Sequence, residues 1–290
     1  MSICKSLIDT AAAACPTGEI CAEKVAAVVL KKQNPDGGFR GKGPQSDLYY
    51  TGFAVMNLSA LEHLSNAAEV SGFLDRFGFG DDLDLAHLSA LIRCRRLIGQ
   101  LRSTDIEILC EKVEAFRCKD GAYHHLSADE EGSAYGCFLA LGAYQDLGCP
   151  LPEEQAVIEC LQNLKANGGY CNESALPLVS TPATAAAVTT LAELAQPIDI
   201  DVAEWLMTSR DPNGGFKVTP AAPMADLLST AVALHALRAM KTDLSLIRSA
   251  DMTFAVALWD ETIGFRPNVT DHFSDCEYCF YGLLSLGHLK

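Results

Sequence analysis

A short glycine–aromatic turn recurs along the chain, and its spacing constrains the fold more than any other feature. It occurs as Asp36-Gly37-Gly38-Phe39, Asp120-Gly121-Ala122-Tyr123, Asn167-Gly168-Gly169-Tyr170, Asn213-Gly214-Gly215-Phe216 and Ile263-Gly264-Phe265. The aromatic positions are separated by 84, 47, 46 and 49 residues, and a degenerate copy, Phe77-Gly78-Phe79, falls near the middle of the first gap. The result is six units of about 40–50 residues, a period characteristic of helical repeats.

Each unit has the same internal order. An apolar pattern of helical spacing, as in residues 20–33, precedes the turn. Asp-Gly and Asn-Gly supply the positive φ that ends a helix. A polar loop follows, and a second helix then opens with Thr or Ser: Thr51-Gly52-Phe53, Ser133-Ala134-Tyr135, Thr184-Ala185-Ala186, Thr230-Ala231-Val232. These second helices are apolar nearly all round, as buried helices are. The expected fold is all-α: an (α/α)6 toroid of six helix-pair repeats around a central cavity. It forms one domain over residues 1–290, with 1–16 as an N-terminal arm or helix. No strand pattern is visible. A linear solenoid needs polar capping repeats, and the terminal units are too apolar for that role.

Charge and composition narrow the partners. The net charge is −15, which repels a phosphate backbone and disfavours nucleic acid. An anionic membrane surface is disfavoured for the same reason. Asp9 and Thr10 interrupt the small-residue run at the start, so it lacks the apolar core of a secretory signal. No uncharged apolar run reaches the length of a membrane span. The expected location is cytoplasmic, where the 12 cysteines stay reduced. Cys94, Cys137 and Cys160 lie in apolar helical patterns and act as small hydrophobes.

The Gly-Gly-Phe turn followed by an apolar helix resembles the prenyltransferase/squalene-cyclase repeat over nearly the whole chain. Two stretches are most similar to the β subunit of protein prenyltransferases: Asn34-Pro35-Asp36-Gly37-Gly38-Phe39-Arg40-Gly41 with Asp47-Leu48-Tyr49-Tyr50-Thr51, and Ser133-Ala134-Tyr135. That resemblance implies a zinc site made by an Asp-x-Cys and a His. Here the Asp position is Asp226, but the Cys position is Leu228 and the His position is Tyr278. The basic pair that would hold a diphosphate after the fifth turn is replaced by Thr219 and Ala222, and the family's His before the fourth inner helix is replaced within Leu178-Val179-Ser180-Thr181. The acid motif of the related class II terpene cyclases is also incomplete in Asp226-Leu227-Leu228-Ser229-Thr230-Ala231. The resemblance therefore implies the toroid and its cavity without the metal, and no cofactor is expected.

Several side chains remain as candidates. Asp226, Asp275 and Glu277 stand near the starts of two neighbouring inner helices, where a buried carboxylate with a raised pKa serves as a general acid; the alternative is a helix cap, which suits Asp275 well, so Asp226 and Glu277 are the better acid candidates. Arg40, Lys42 and Asp47 form either an anion site at the cavity mouth or a solvated loop with a capping Asp. Tyr49, Tyr50, Tyr135, Tyr278 and Tyr281 are candidates to line the cavity, where π faces stabilise a cation; Phe280 belongs with them. His272, Cys276 and Cys279 form the one compact metal-like cluster, and a lone Cys-x-x-Cys is weak as a zinc signal. The leading expectation is a protein that binds or transforms an isoprenoid or other lipid-like molecule in the cavity, by metal-independent acid chemistry if it is an enzyme. A second is a non-catalytic peptide-binding scaffold. A third is a prenyltransferase that needs a protein partner made of helical repeats.

Overall fold

The computed structural model describes residues 2–14, 20–126 and 130–290. Among them, a first helix, Ile3–Ala13 (α1), is followed by alternating outer and inner helices. These are Ala22–Leu30 (α2) and Leu48–Ala60 (α3), Ala67–Asp75 (α4) and Leu85–Leu97 (α5), Ile106–Glu114 (α6) and Ala134–Leu147 (α7). The order continues with Glu154–Asn163 (α8) and Thr181–Glu193 (α9), Ile200–Thr208 (α10) and Leu227–Ala239 (α11), Arg248–Ala257 (α12) and Cys276–His288 (α13). Each inner helix packs on the next, and α13 packs back on α3, so the ring closes. The turn aromatics Phe39, Tyr123, Phe216 and Phe265 are fully buried.

The inner helices start earlier than the Thr positions suggest, except α7. Their caps are Asp47, Asp84, Ser133, Ser180, Asp226 and Asp275, and each side chain accepts a backbone N–H of its first turn. Such a cap contributes about 1 kcal/mol. Thr51, Thr184 and Thr230 lie four residues further in and do a different job. Their Oγ1 atoms accept the backbone N–H groups of Phe39, Tyr170 and Phe216, each at 2.9 Å. Thr51 and Thr230 donate in turn to the carbonyls of Asp47 and Asp226 at 2.6 Å. Each Thr thus ties the buried turn to the helix it precedes. In α7 and α13 the same place is taken by Cys137 and Cys279, both fully buried.

Short strands are present where none was expected. Phe39–Arg40 pairs with Ser46–Asp47, Trp259–Asp260 with Gly264–Phe265, and Gly169–Glu173 with both Lys165–Ala166 and Leu176–Val179, all antiparallel. The chain leaving an outer helix has backbone groups to satisfy while its aromatic is buried, and it pairs with neighbouring segments of its own turn. Glycine is needed at these turns. Gly37 has φ +89°, and a Cβ there would sit 1.9 Å from the Glu69 carbonyl oxygen of α4. Gly214 has φ +106° and meets the Ala250 carbonyl of α12 in the same way, at 2.3 Å.

Helix α1 lies against α13, α3 and α7 near their C-terminal ends. The backbone N–H of Ile3 donates to Gln145 Oε1 at 2.7 Å, and Gly287 touches the Thr10 carbonyl so closely that a Cβ would lie 1.9 Å from it. Leu7 reaches the cavity. The N-terminal segment is thus a helix over Ile3–Ala13 that covers one end of the ring. Residues 15–19 of the expected arm and its junction, Cys15 included, lie outside the described residues. Among the described residues no helix is long and apolar enough to cross a membrane.

Candidate binding site inside the toroid

A cavity of about 390 Å³ occupies the centre of the ring and is lined from all six inner helices and by Leu7. That falls at the lower end of the range, about 300–1,000 Å³, in which proteins enclose small organic ligands. Phe53, Phe138, Leu228, Val232, Phe280 and Leu284 give it apolar walls. The Phe53 ring meets Tyr49 edge-on at 5.1 Å and Tyr281 at 5.6 Å.

Polar groups gather at two places. Near the N-terminal ends of α3 and α13, Tyr49 Oη donates to Glu277 Oε1 at 2.7 Å. Tyr281 is a second hydrogen-bond partner of this carboxylate. Burial pushes the Glu277 pKa up to about 7, against the partial opposition of the Tyr49 hydrogen bond. Burial also holds both tyrosine hydroxyls well above their ordinary pKa, so they remain donors. Further along the helices stand Arg93 and His235. Arg93 Nε donates to Asp146 Oδ2 at 3.0 Å, and the Asp146 side chain is 3 % exposed. His235 Nδ1 lies 3.1 Å from His288 Nε2, and burial lowers the His235 pKa to about 4, leaving the ring neutral.

The expected acids separate clearly. Glu277 faces the cavity. Asp226 caps α11, with Oδ1 accepting from Ser229 N at 2.8 Å and Oδ2 from Ser229 Oγ at 2.7 Å. Asp275 caps α13 through Tyr278 N at 3.0 Å. Neither Asp lines the cavity. Tyr49, Tyr135 and Tyr281 line it. Tyr50 instead packs its ring against Gly41, and Tyr278 lies beside Tyr281 at 6.4 Å between ring centres without reaching the cavity wall.

Arg40 and Lys42 lie outside the toroid interior, in a separate groove with Lys32 and His272. Arg40 is held by Asn34 Oδ1 and the Lys31 carbonyl, and Lys42 by Asp271 at 3.8 Å and the Phe273 ring. Asp47 caps α3 through Tyr49 N and Tyr50 N. The Asp47 carboxylate also lies 3.7 Å from His87, whose pKa it raises, with Asp84, to about 9.

The metal-like cluster does not assemble. Cys276 and Cys279 are buried in the core, whereas His272 precedes the capped helix and is exposed. Among the described residues no group of three His, Cys, Asp or Glu side chains is placed to hold a metal ion. Arg93, His235, Phe53, Phe138 and Met56 are lining residues that the sequence did not single out. Their signal is their helical spacing within apolar inner helices, with Arg93 and His235 as the polar interruptions.

The family model for the prenyltransferase alpha-alpha toroid domain matches residues 7–145 and 183–289. No curated protein matches the chain. Among solved structures, the chain is similar to the Candida albicans protein geranylgeranyltransferase-I complexed with GGPP, at 13% identity and TM-score 0.67, covering 93% of this chain and 91% of that one. It is also similar to a variant of the type II terpene cyclase MstE from Scytonema in complex with geranylgeranyl dihydroxybenzoate, at 13% identity and TM-score 0.65, covering 98% and 97%. A protein from Actinoplanes gives 14% identity and TM-score 0.60, covering 92% and 97%. At these identities the likeness is one of fold.

Proposed function

Because the chain belongs to the prenyltransferase alpha-alpha toroid family, we propose that it binds or transforms an isoprenoid or similar long apolar molecule in the central cavity, the chemistry open to it being acid chemistry without zinc. One observation carries this reading. The cavity is walled by apolar and aromatic side chains, and the one carboxylate among its described lining residues, Glu277, has a pKa raised to about 7. A carboxyl group that keeps its proton near neutrality is a usable general acid. Tyr49 and Tyr281 orient it, and the rings of Phe53, Phe280 and Tyr281 offer π faces to a cation formed beside it. The isoprenoid class is supported by the structural relatives, one complexed with GGPP and one with geranylgeranyl dihydroxybenzoate.

The replacement of the expected Cys and His ligands by Leu228 and Tyr278 supports a metal-independent role. Leucine has no donor atom, and a phenol held above its ordinary pKa by burial is a poor ligand for zinc. A fluorescent isoprenoid analogue tests the proposal. It is expected to bind with micromolar or tighter affinity and to stay bound in high salt, because apolar burial is not screened. Binding lost with salt would move the ligand to the Lys32–Arg40–Lys42 groove, and no binding by any long-chain analogue would favour a peptide-binding scaffold.

A further inference from the structure

The polarity of the cavity is not symmetric, and Arg93 is the reason. It is the one cationic side chain among the described lining residues. Its side chain is 13 % exposed and lines the cavity. Nε is taken by Asp146. The other two guanidinium nitrogens have no oxygen or nitrogen acceptor among the described residues; sulfur is what meets the guanidinium there, Met56 Sδ at 4.0 Å from Nη1 and the Cys4 thiol. Nη2 packs against α7 at Gly142, where an added Cβ would lie 3.0 Å from it, so the glycine is what lets the guanidinium sit there.

Asp146 offsets the Arg93 charge from the Nε side, and no second carboxylate meets the Nη1–Nη2 edge among the described residues. The Cys4 thiol of α1 is a hydrogen-bond partner of both Arg93 and Asp146, and burial raises its pKa to about 11, so it meets the pair as an uncharged, weak partner. His235 is neutral. A guanidinium presents its donors as a planar fork that suits a carboxylate, and donors left unmet in an apolar site are costly. A plain hydrocarbon would leave them dry. A diphosphate brings more negative charge than one guanidinium, already shared with Asp146, can offset away from water.

We propose that the ligand of this cavity carries a carboxylate, received by the Nη1–Nη2 edge of Arg93, with its apolar chain extending toward Tyr49 and Glu277. This rests on the reading of the cavity as a ligand site and adds the head group and the orientation. Asp146 is a positioning residue: its hydrogen bond to Nε fixes the plane of the fork.

Farnesoic acid, farnesol and farnesyl diphosphate share one chain and differ in the head, so their affinities at neutral pH test the proposal directly. The acid is expected to bind at least about tenfold tighter than either of the others, the scale of one good charge-assisted contact. Substituting Arg93→Met alone strands Asp146 as a buried charge, so the pair Arg93→Met with Asp146→Leu is used, and acid and alcohol are then expected to bind alike. Equal binding of acid and alcohol to the wild-type protein, or tightest binding of the diphosphate, overturns the proposal whether or not the double variant folds. A preference that survives in a folded double variant overturns it too. If none of the three compounds binds the wild-type protein, the cavity reading falls with it.

Discussion

Tyr49 and Glu277 are 228 residues apart in the chain, yet Tyr49 Oη lies 2.7 Å from Glu277 Oε1. They belong to α3 and α13, the first and last inner helices, so their hydrogen bond spans the seam where the ring closes. The proposed acid therefore acquires its environment only once all six repeats have stacked.

That environment makes stability depend on pH. Glu277 has a folded pKa of about 7 against an ordinary 4.5, with burial as the main cause. Between those values the folded state binds the proton more tightly than the unfolded chain does. The contribution of this group is full below about pH 4.5, is lost as pH rises through about 7, and changes no further above. Glu277→Gln stays neutral throughout. It is expected to match the wild-type protein in acid and to exceed it above pH 7 by at most about 3 kcal/mol. Urea melts across this range check it, and parallel curves would show that Glu277 is not buried as described.

Thr230→Val should destabilise the fold by about 1–3 kcal/mol, because it strands the buried Phe216 N–H that Thr230 Oγ1 accepts at 2.9 Å. Thr230→Ser keeps the hydroxyl and is expected to recover most of the loss. A Val variant as stable as the Ser variant would mean that the turn finds another acceptor.

Gly287→Ala tests the seat of α1. A Cβ at 287 would stand 1.9 Å from the Thr10 carbonyl oxygen, a backbone atom that moves only if α1 moves. The expected cost is about 1–3 kcal/mol, the usual range for overpacking. Hydrogen exchange should be faster in Ile3–Ala13 and little changed in the outer helices. Unchanged protection of α1 would show that the contact relaxes elsewhere.

The repeat could be read from glycine because the geometry demands it: a side chain at 37 or 214 would strike the next outer helix. The strands could not, since pairs of two to five residues are too short to show an alternating pattern. Thr51, Thr184 and Thr230 look like caps because they precede small apolar runs. The true caps lie one turn earlier, and only the three-dimensional partner, a turn N–H, reveals the role of each Thr. Arg93 sits in Arg93-Cys94-Arg95-Arg96, which resembles a solvated helix end, and its partner Asp146 is 53 residues away on another helix. By sequence Asp275 suits a cap, and Asp226 and Glu277 are the better acid candidates; the structure makes Asp226 a cap as well. What separates them is which carboxylate oxygens are already committed to a helix terminus.

Zinc content is the last test. Protein purified without added metal is expected to carry less than about one tenth of an equivalent of zinc, and chelators should leave its Tm unchanged, since a bound metal would stabilise the native state and its removal would show. Of the three positions where the family resemblance implies ligands, only Asp226 has a donor of the usual kind, and both its oxygens bond Ser229. Leu228 is part of the cavity wall. Tyr278 stands close enough for the Asp226 charge to help raise its pKa, after burial and the nearer carboxylates. The double change Leu228→Cys and Tyr278→His therefore puts a thiol and an imidazole next to Asp226, and this variant is expected to take up zinc and to gain Tm when zinc is added. Near-stoichiometric zinc in the wild-type protein would contradict the expectation. If Cys276→Ser then abolished that zinc, the metal would belong to the α13 thiols, and the burial of Cys276 and Cys279 away from His272 would have to give way in solution.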